Sequence, residues 1–206
     1  QKGKVFWMRV YEIPEGGKNS KGRAMQNLIN IEQDDKVKAF LVTQDLKDEE
    51  YINNHYVIMA TKKGQVKKTS LEQYSRPRTN GINAITIREG DELLEAKLTS
   101  GDSQVMLALK SGKSIRFEEA KTRPMGRTAS GVRGITLGHE NDEVIGMVAV
   151  NDMDSNILVV SAKGYGKRSK LEDYRITNRG GKGVKTLNIS EKTGDLVAIK
   201  NVDDSN

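Results

Sequence analysis

The 206-residue sequence contains no cysteine, two histidines and only 5% aromatic residues. Without cysteine the chain has no disulfide, no thiolate nucleophile and no cysteine ligand for zinc. This composition fits the reducing cytoplasm, which is where we expect the protein to be located. No apolar stretch approaches the roughly eighteen residues of a membrane-spanning helix, and no signal peptide is visible, so we expect no membrane partner.

The motifs that would carry catalysis or metal binding are incomplete. Gly112–Ser114 resembles the end of a phosphate-binding P-loop, but the position of its earlier glycine holds Leu107. Asp152–Asn156 begins like a calcium-binding loop, but the sixth position, which needs glycine, holds Ile157. No nucleophile is paired with a base. We therefore expect no catalytic residue, no metal ligand and no cofactor within this chain.

Two sets of glycines divide the chain into repeats. The glycines that open a basic strand are separated by 61, 48 and 52 residues: Gly3, Gly64, Gly112 and Gly164. The glycines that end the following basic loop are separated by 59, 50 and 52 residues: Gly22, Gly81, Gly131 and Gly183. Because two independent landmarks give nearly the same spacing, we infer a repeat of about fifty residues.

Each repeat contains up to four short strand-like runs. In the third repeat these are Leu93–Leu98, Val105–Leu109, Lys113–Phe117 and Val132–Leu137. The second run is apolar throughout, as expected for a strand covered on both faces. The third run alternates, with Ile115 and Phe117 on one face and Ser114 and Arg116 on the other, so we expect its second face to meet solvent.

This pattern predicts an all-β fold, a propeller-like array of four-stranded blades of which about four are present. A two-sheet sandwich is the alternative architecture. Because Gln1 lies inside a strand-like pattern, we interpret 1–206 as a single repeat domain that is a fragment of a larger subunit. Its predicted parts are a partial blade at 1–31, blades at 34–87, 91–137 and 142–189, and a partial strand at 194–202.

The positive charge is confined to one position of every repeat. The net charge is +6, with an isoelectric point near 9.3. Residues 2–23, 61–88, 110–135 and 163–185 carry +4, +6, +5 and +6, so the rest of the chain carries −15. In a radial array these four segments lie on the same rim, which predicts a continuous basic surface.

A basic surface of this kind predicts binding of double-stranded DNA through its phosphates, with little sequence preference and with bending of the duplex. Backbone N–H groups near Gly180, Gly181 and Gly183 are further candidates for phosphate contacts. The predicted DNA-binding residues are Lys2, Lys4, Arg9, Lys21, Arg23, Lys62, Lys63, Lys67, Lys68, Arg76, Arg78, Lys113, Arg116, Arg123, Arg127, Arg133, Lys163, Lys167, Arg168, Arg175, Arg179, Lys182 and Lys185.

Few aromatic residues lie among these cations, which argues against a single-strand stacking platform. Tyrosines recur near the ends of the basic strands, and we interpret them as structural caps: Tyr11, Tyr74 and Tyr174. The remaining large aromatic residues are predicted to lie in the core: Phe6, Trp7, Phe40 and Phe117.

Several spaced motifs resemble the C-terminal domain of the DNA gyrase A subunit. They are Gly3–Tyr11 with Gly22–Leu28, Lys67–Thr69, Met125–Gly126 with Gly131–Ile135, and Gly164–Arg168, and they occur in order over essentially the whole chain. In that family the domain is a beta-pinwheel, a propeller-like wheel whose blades exchange strands. The resemblance therefore implies the same fold here.

The resemblance also implies a function. Double-stranded DNA would wrap around the basic rim and support ATP-dependent negative supercoiling by a type II topoisomerase, an isomerase. The implied partners are double-stranded DNA, the rest of the gyrase A subunit and the gyrase B subunit, in a bacterial cytoplasm and associated with the nucleoid. The ATPase site, with its ATP and magnesium, and the DNA-cleaving tyrosine would lie outside this chain, which is itself non-catalytic.

The chain departs from the family pattern in one respect. Gyrase A domains carry a heptapeptide box, Gln-Arg/Lys-Arg-Gly-Gly-Lys-Gly, in their first blade. Here Thr177–Gly183 matches its last five positions but lies in the fourth repeat. The equivalent domain of topoisomerase IV therefore remains an alternative, as does a protein-interaction propeller with a basic rim.

Overall fold

The computed structural model describes residues 1–203, and within them β-strands dominate. The strands are β1 Lys4–Val5, β2 Tyr56–Thr61, β3 Gln65–Ser70, β4 Ile82–Asn83, β5 Leu93–Thr99, β6 Gln104–Leu109, β7 Lys113–Glu118, β8 Val132–Arg133, β9 Val144–Val150, β10 Asn156–Ser161, β11 Gly166–Lys170, β12 Val184–Lys185 and β13 Leu196–Val202. One α-helix, α1, covers Glu49–Asn54, and 3-10 turns cover Val10–Glu12, Met25–Asn27, Leu71–Tyr74, Glu119–Lys121 and Leu171–Asp173.

These strands form four antiparallel sheets, which confirms the predicted all-β, propeller-like architecture. Sheet 1 contains β1 and β4, and sheet 2 has the order β5-β2-β3-β8. Sheet 3 has the order β9-β6-β7-β12, and sheet 4 has the order β13-β10-β11. The middle of sheets 2 and 3 is a hairpin of a central strand (β2 or β6) and a basic strand (β3 or β7).

Each sheet takes its strands from two successive segments of the chain. The hairpin of sheet 2 lies within 34–87, whereas its two edge strands, β5 and β8, lie within 91–137. Sheet 3 is built in the same way from 91–137 and 142–189. The outer strands β4, β8 and β12 are thus donated to the preceding repeat; in sheet 2, for example, Val66 pairs with Val132.

Both sets of landmark glycines adopt backbone angles that favour glycine. All eight have positive φ, between 67° and 88°. At Gly112 a Cβ atom would lie 2.4 Å from the carbonyl oxygen of Leu187, and at Gly183 it would lie 2.5 Å from that of Ser114. Glycine is therefore needed where an exchanged strand passes its neighbour, whereas at Gly22 and Gly164 the positive φ alone favours glycine.

The core lies between successive sheets. Central strand β6 is buried on both faces: Val105 and Leu107 pack toward sheet 2, while Met106 and Ala108 pack toward sheet 4. Of the inner strands β5, β9 and β13, β9 contacts both of the others, with Gly146 of β9 against Ile199 of β13. The sheets therefore converge at their inner strands, and the basic and outer strands form the opposite edge.

Three local predictions are wrong. Ser114 and Arg116 are buried, because the second face of β7 is covered by the loop of the next repeat. The basic strand predicted after Gly3 covers only Lys4–Val5, since β1 pairs with β4 alone. Phe40 is 73% exposed, because the two strands of sheet 1 do not cover it.

Candidate nucleic-acid interface

Three basic loops connect each basic strand to the outer strand that follows: residues 71–81, 119–131 and 171–183. The second and third loops cross to the basic strand of the preceding repeat. The N–H of Met125 donates to the carbonyl of Lys68 at 2.7 Å, and the N–H of Thr177 donates to that of Arg116 at 2.8 Å. The basic loop of one repeat therefore lies directly against the basic strand of another, and the two charges add along one edge.

Side-chain hydrogen bonds also join the segment after each of the outer strands β4 and β8 to the basic loop of the next repeat. The hydroxyl of Thr86, just after β4, donates to the carbonyl of Thr128 at 2.7 Å. At the equivalent point after β8, the hydroxyl of Thr136 donates to the carbonyl of Gly180, also at 2.7 Å. The loops are thus held edge to edge in a fixed order. We call this outer edge, formed by the basic strands, basic loops and outer strands, the rim.

Most of the predicted DNA-binding side chains are accessible. Those that are partly exposed are Lys62, Lys113, Arg127 and Arg179. Those that are exposed are Lys2, Lys4, Arg9, Lys21, Arg23, Lys63, Arg76, Arg78, Arg123, Arg133, Lys163, Lys167, Arg168, Arg175, Lys182 and Lys185. Their charged groups can meet phosphate oxygens without any change of the fold.

Three of the predicted DNA-binding residues are buried, and the structure corrects the prediction there: Lys67, Lys68 and Arg116. Arg116 is 7% exposed, and its Nη1 donates to the carbonyls of Leu171 at 2.8 Å and Tyr174 at 3.0 Å. Both acceptors belong to the 3-10 turn region of the next repeat. Arg116 therefore ties two repeats together, and its charge is not available to a phosphate.

Lys68 occupies the equivalent strand position one repeat earlier. Its Nζ lies 3.0 Å from the carboxylate of Glu119, at the start of the next 3-10 turn, and 4.2 Å from the centre of the Tyr56 ring. Glu119 also accepts from the hydroxyl of Thr99 at 2.7 Å and from the N–H of Ser103 at 3.2 Å. The pair is neutral and enclosed, so it joins sheets 2 and 3 and adds no charge to the rim.

Lys67 is completely buried and has a different set of partners. Its Nζ donates to the carbonyls of Arg127, at 2.6 Å, and Ala84. The pKa of Lys67 is lowered to about 8, because burial disfavours the ammonium form and the Arg127 guanidinium repels it. This side chain lies under the rim and cannot reach a phosphate.

Some exposed cations are neutralised by nearby carboxylates. Lys2 lies 2.9 Å from Glu32 and 2.8 Å from Asp34, and Lys4 lies 3.0 Å from Glu32. The hydrogen bonds with Lys2 lower the pKa of both carboxyls and raise the pKa of Lys2 itself. Lys62 similarly lies between Glu92 and Glu143, at 3.4 and 3.6 Å. These cations present less charge to DNA than the loop arginines.

The comparisons with known proteins follow the same repeats. The model of the family described as "DNA gyrase C-terminal domain, beta-propeller" matches four successive segments, residues 1–44, 55–100, 105–151 and 155–203. The chain belongs to the DNA gyrase C-terminal domain family. The last three matches begin within one residue of the start of β2, β6 and β10 and end one residue after the inner strands β5, β9 and β13, so the family unit spans the strand exchange.

Gyrase A subunits of Staphylococcus aureus strains NCTC 8325 and COL are 43% identical to the chain over 202 residues, which is 98% of the chain and 22% of each relative. The chain thus spans about a fifth of the length of these curated relatives. A solved C-terminal domain of DNA topoisomerase IV superposes with a TM-score of 0.86 at 25% identity, covering 99% of the chain and 62% of that structure. A solved gyrase A C-terminal domain superposes with a TM-score of 0.79 at 23% identity, covering 98% and 63%, and supports the fold.

In this gyrase C-terminal domain, part of the loop that resembles the heptapeptide box is used in hydrogen bonds to the preceding repeat. The N–H of Gly180 donates to the carbonyl of Gly134 at 2.7 Å, so the prediction of a free N–H there is wrong. Arg179 donates from Nη1 to the carbonyl of Arg133 at 2.7 Å. Lys182, by contrast, is exposed. The loop therefore locks the third and fourth repeats together and presents only part of its charge outward.

The recurrent tyrosines act as caps, as predicted for two of the three. The hydroxyl of Tyr74 donates to the carbonyl of Ala84 at 3.1 Å, and Tyr174 hydrogen-bonds with Thr186. Both rings are buried, whereas Tyr11 is 77% exposed. In the second and fourth repeats these tyrosines fasten the basic loop to the residue just after the outer strand that follows it.

Sequence reasoning missed four exposed cations of the same segments: Lys18, Arg88, Lys121 and Lys170. All four were counted in the net charges of the basic segments, so the segment charge was the signal by which they could have been found. Within residues 1–203 no group of three metal-ligating side chains occurs, and no helix there is long and apolar enough to cross a membrane.

Proposed function

We propose that this domain binds double-stranded DNA along its rim and wraps it, with little sequence preference. The single observation that carries the proposal is the hydrogen-bonded series of basic loops, which turns separate charged segments into one curved surface. Lysine and arginine side chains on such a surface neutralise phosphates and release counterions. Contacts to phosphates position a duplex without reading its bases, and a curved array of them favours a bent duplex.

We further propose that the domain is the C-terminal module of a gyrase A subunit, as the names of its relatives suggest. The complete enzyme would then combine it with the rest of that subunit and with gyrase B, and would use ATP and magnesium there for negative supercoiling. The module itself would need no cofactor. Such an enzyme acts in the bacterial cytoplasm on the nucleoid.

The first test is binding of the chain to duplexes of unrelated sequence. At about 50 mM salt we expect a stable complex, and log K should fall linearly with log salt by about 0.9 for each phosphate contacted. Lys200, exposed on inner strand β13, offers a control. Lys200→Gln should leave the salt slope unchanged. No complex with duplex DNA at this salt concentration would refute the proposal.

Wrapping is tested by topology. A nicked plasmid is ligated in the presence of the chain, and the linking number is compared with that of plasmid ligated alone. A shift that grows with protein concentration is expected of a wrapping domain. Binding without any shift would leave a phosphate-binding module that does not wrap.

The equivalent domain of topoisomerase IV is the second candidate. The observation in its favour is the higher TM-score of 0.86, against 0.79 for the gyrase domain. The 43% identity to gyrase A subunits favours gyrase. Supercoiling of relaxed plasmid by the complete enzyme separates the two, because only a gyrase should introduce negative supercoils.

A further inference from the structure

We propose that Lys67 is a positioning residue for DNA binding: its side chain ties the segment just after outer strand β4 to the basic loop 119–131, so that the basic loops 71–81 and 119–131 present their cations on one surface. This inference rests on the proposed function of the rim. Lys67 itself lies beneath that surface and touches no phosphate.

The geometry of Lys67 is that of a cross-link. The residue is on β3, and its ammonium group donates to Ala84, which follows β4, and to Arg127, which is in the loop of the next repeat. Arg127 is 60 residues away along the chain. Tyr74 donates to the same carbonyl of Ala84, at 3.1 Å, so that acceptor is fixed from two sides. One side chain therefore sets the distance between two neighbouring parts of the rim.

The equivalent positions in the other repeats show what is unusual here. Three residues after the landmark glycine lie Phe6, Ile115 and Lys167. Ile115 is in the hydrophobic core, and Phe6 is partly buried, while Lys167 is exposed on β11. The second repeat thus places a cation where an apolar side chain suits the fold. Burying an ammonium group costs free energy. Hydrogen bonds to the carbonyls of Ala84 and Arg127, which lie in different loops, offset part of that cost.

The groups that face Lys67 connect it to DNA. The Arg127 guanidinium, on the covering loop, is a like charge, and the Tyr74 phenol is the titratable group on the other side. Because its pKa is lowered to about 8, Lys67 is protonated at pH 7 and increasingly neutral above pH 8. Phosphates on the rim favour the charged form, so above this pH DNA binding is coupled to the uptake of a proton by Lys67.

Affinity should therefore fall as the pH rises through about 8. A single charge beneath the surface, acting on phosphates through partly hydrated protein, changes affinity by about two- to fourfold. The dependence on pH separates a positioning cation from a residue that only supports the fold.

The experiment compares the wild-type chain with Lys67→Met and with Lys63→Met, an exposed lysine of the same hairpin. Binding to one labelled duplex is measured at fixed salt from about pH 7 to about pH 9.5. We expect the wild type and Lys63→Met to lose affinity by about two- to fourfold over this range. Lys67→Met should bind about two- to fourfold more weakly than wild type at pH 7 and show no such loss.

Two results would overturn the inference: a wild-type affinity that is constant across pH 8, or a Lys67→Met profile that falls in parallel with the wild type. If Lys67→Met does not fold, as judged by its thermal transition, the wild-type profile alone still decides, and Lys67→Arg, which stays charged, should flatten it. If the wild-type chain binds no duplex DNA at any pH, the proposed function fails, and that outcome is distinct from a flat but measurable affinity.

Discussion

Replacing Arg116 by methionine separates a residue that fastens two repeats from one that contacts DNA. In the structure its guanidinium donates to the carbonyls of Leu171 and Tyr174 and approaches Met153 Sδ at 3.5 Å. Hydrogen bonds from a charged group each contribute about 1.5–3 kcal/mol. Methionine keeps much of the packing but leaves the carbonyl of Tyr174 without this partner, while that of Leu171 still accepts from the N–H of Tyr174 at 3.1 Å. We therefore expect Arg116→Met to lower the free energy of unfolding by roughly 3 kcal/mol.

For a chain of this size a loss of 1 kcal/mol lowers Tm by about 2–4 °C, so the expected shift is roughly 6–12 °C. Urea unfolding at fixed pH gives the free energy, and DNA affinity at several salt concentrations gives the slope. Because Arg116 reaches no phosphate, the slope should equal that of the wild type. The matched control is Arg175→Met, which removes an exposed arginine from the loop that covers Arg116.

The control should behave in the opposite way. Its unfolding free energy should change by no more than about 0.5 kcal/mol. Its salt slope should fall by about 0.9 if Arg175 contacts one phosphate. An Arg116→Met variant that is as stable as the wild type but has a reduced slope would refute the assignment of Arg116 to the interior.

Three further outcomes are expected. Arg179→Gln with Lys182→Gln should reduce affinity about equally for unrelated DNA sequences and flatten the salt slope by up to about 1.8; a sequence-dependent loss in binding titrations would contradict this. Gly131→Ala, at φ 88° with its Cβ 2.5 Å from the carbonyl oxygen of Val66, should cost at least about 2 kcal/mol of unfolding free energy, whereas Gly126→Ala, which meets nothing within 4 Å, should be neutral in the same denaturation assay. Burial opposes ionisation of Asp142, but hydrogen bonds from Ser111 and Gly138 outweigh it and lower its pKa. Its contribution to stability is therefore complete above its unfolded pKa of about 3.9 and is lost as pH falls toward the lowered value, and Asp142→Asn should weaken that acid dependence in unfolding curves measured between about pH 5 and pH 2.

The repeat and its strands were readable from the sequence because glycine spacing and side-chain alternation are local properties. Gly64 and Gly131 are conspicuous in the sequence for the same reason that they are required in the structure, which is the close passage of another backbone. The apolar run of β6 likewise reports a strand covered on both faces. The segments that carry the positive charge could also be identified, because this requires only counting the charged residues of each segment.

The sequence did not show which individual lysines and arginines would be buried and which exposed. Lys63 and Lys67 are both lysines of one basic hairpin, yet one is exposed and the other has no exposed surface. The loop around Arg127 covers Lys67, and the residues near Lys67 in the sequence do not indicate this contact. The pairing of Val66 with Val132 is similarly a contact between distant segments. Pattern reading assigns a face to a side chain, but it does not identify what covers that face.

The exchange of outer strands has a consequence for how such an array can change its length. No single cut in the chain isolates one complete sheet together with its own strands. In sheet 2, for example, β8 pairs with a hairpin that lies more than sixty residues earlier. A deletion that joins one landmark glycine to the equivalent glycine of the next repeat, such as Gly64 to Gly112, instead restores every pairing one repeat further on. Because of the strand exchange, the array can therefore gain or lose only whole repeats. It also couples the melting of each repeat to that of its neighbours, so the rim keeps its curvature until the entire array unfolds.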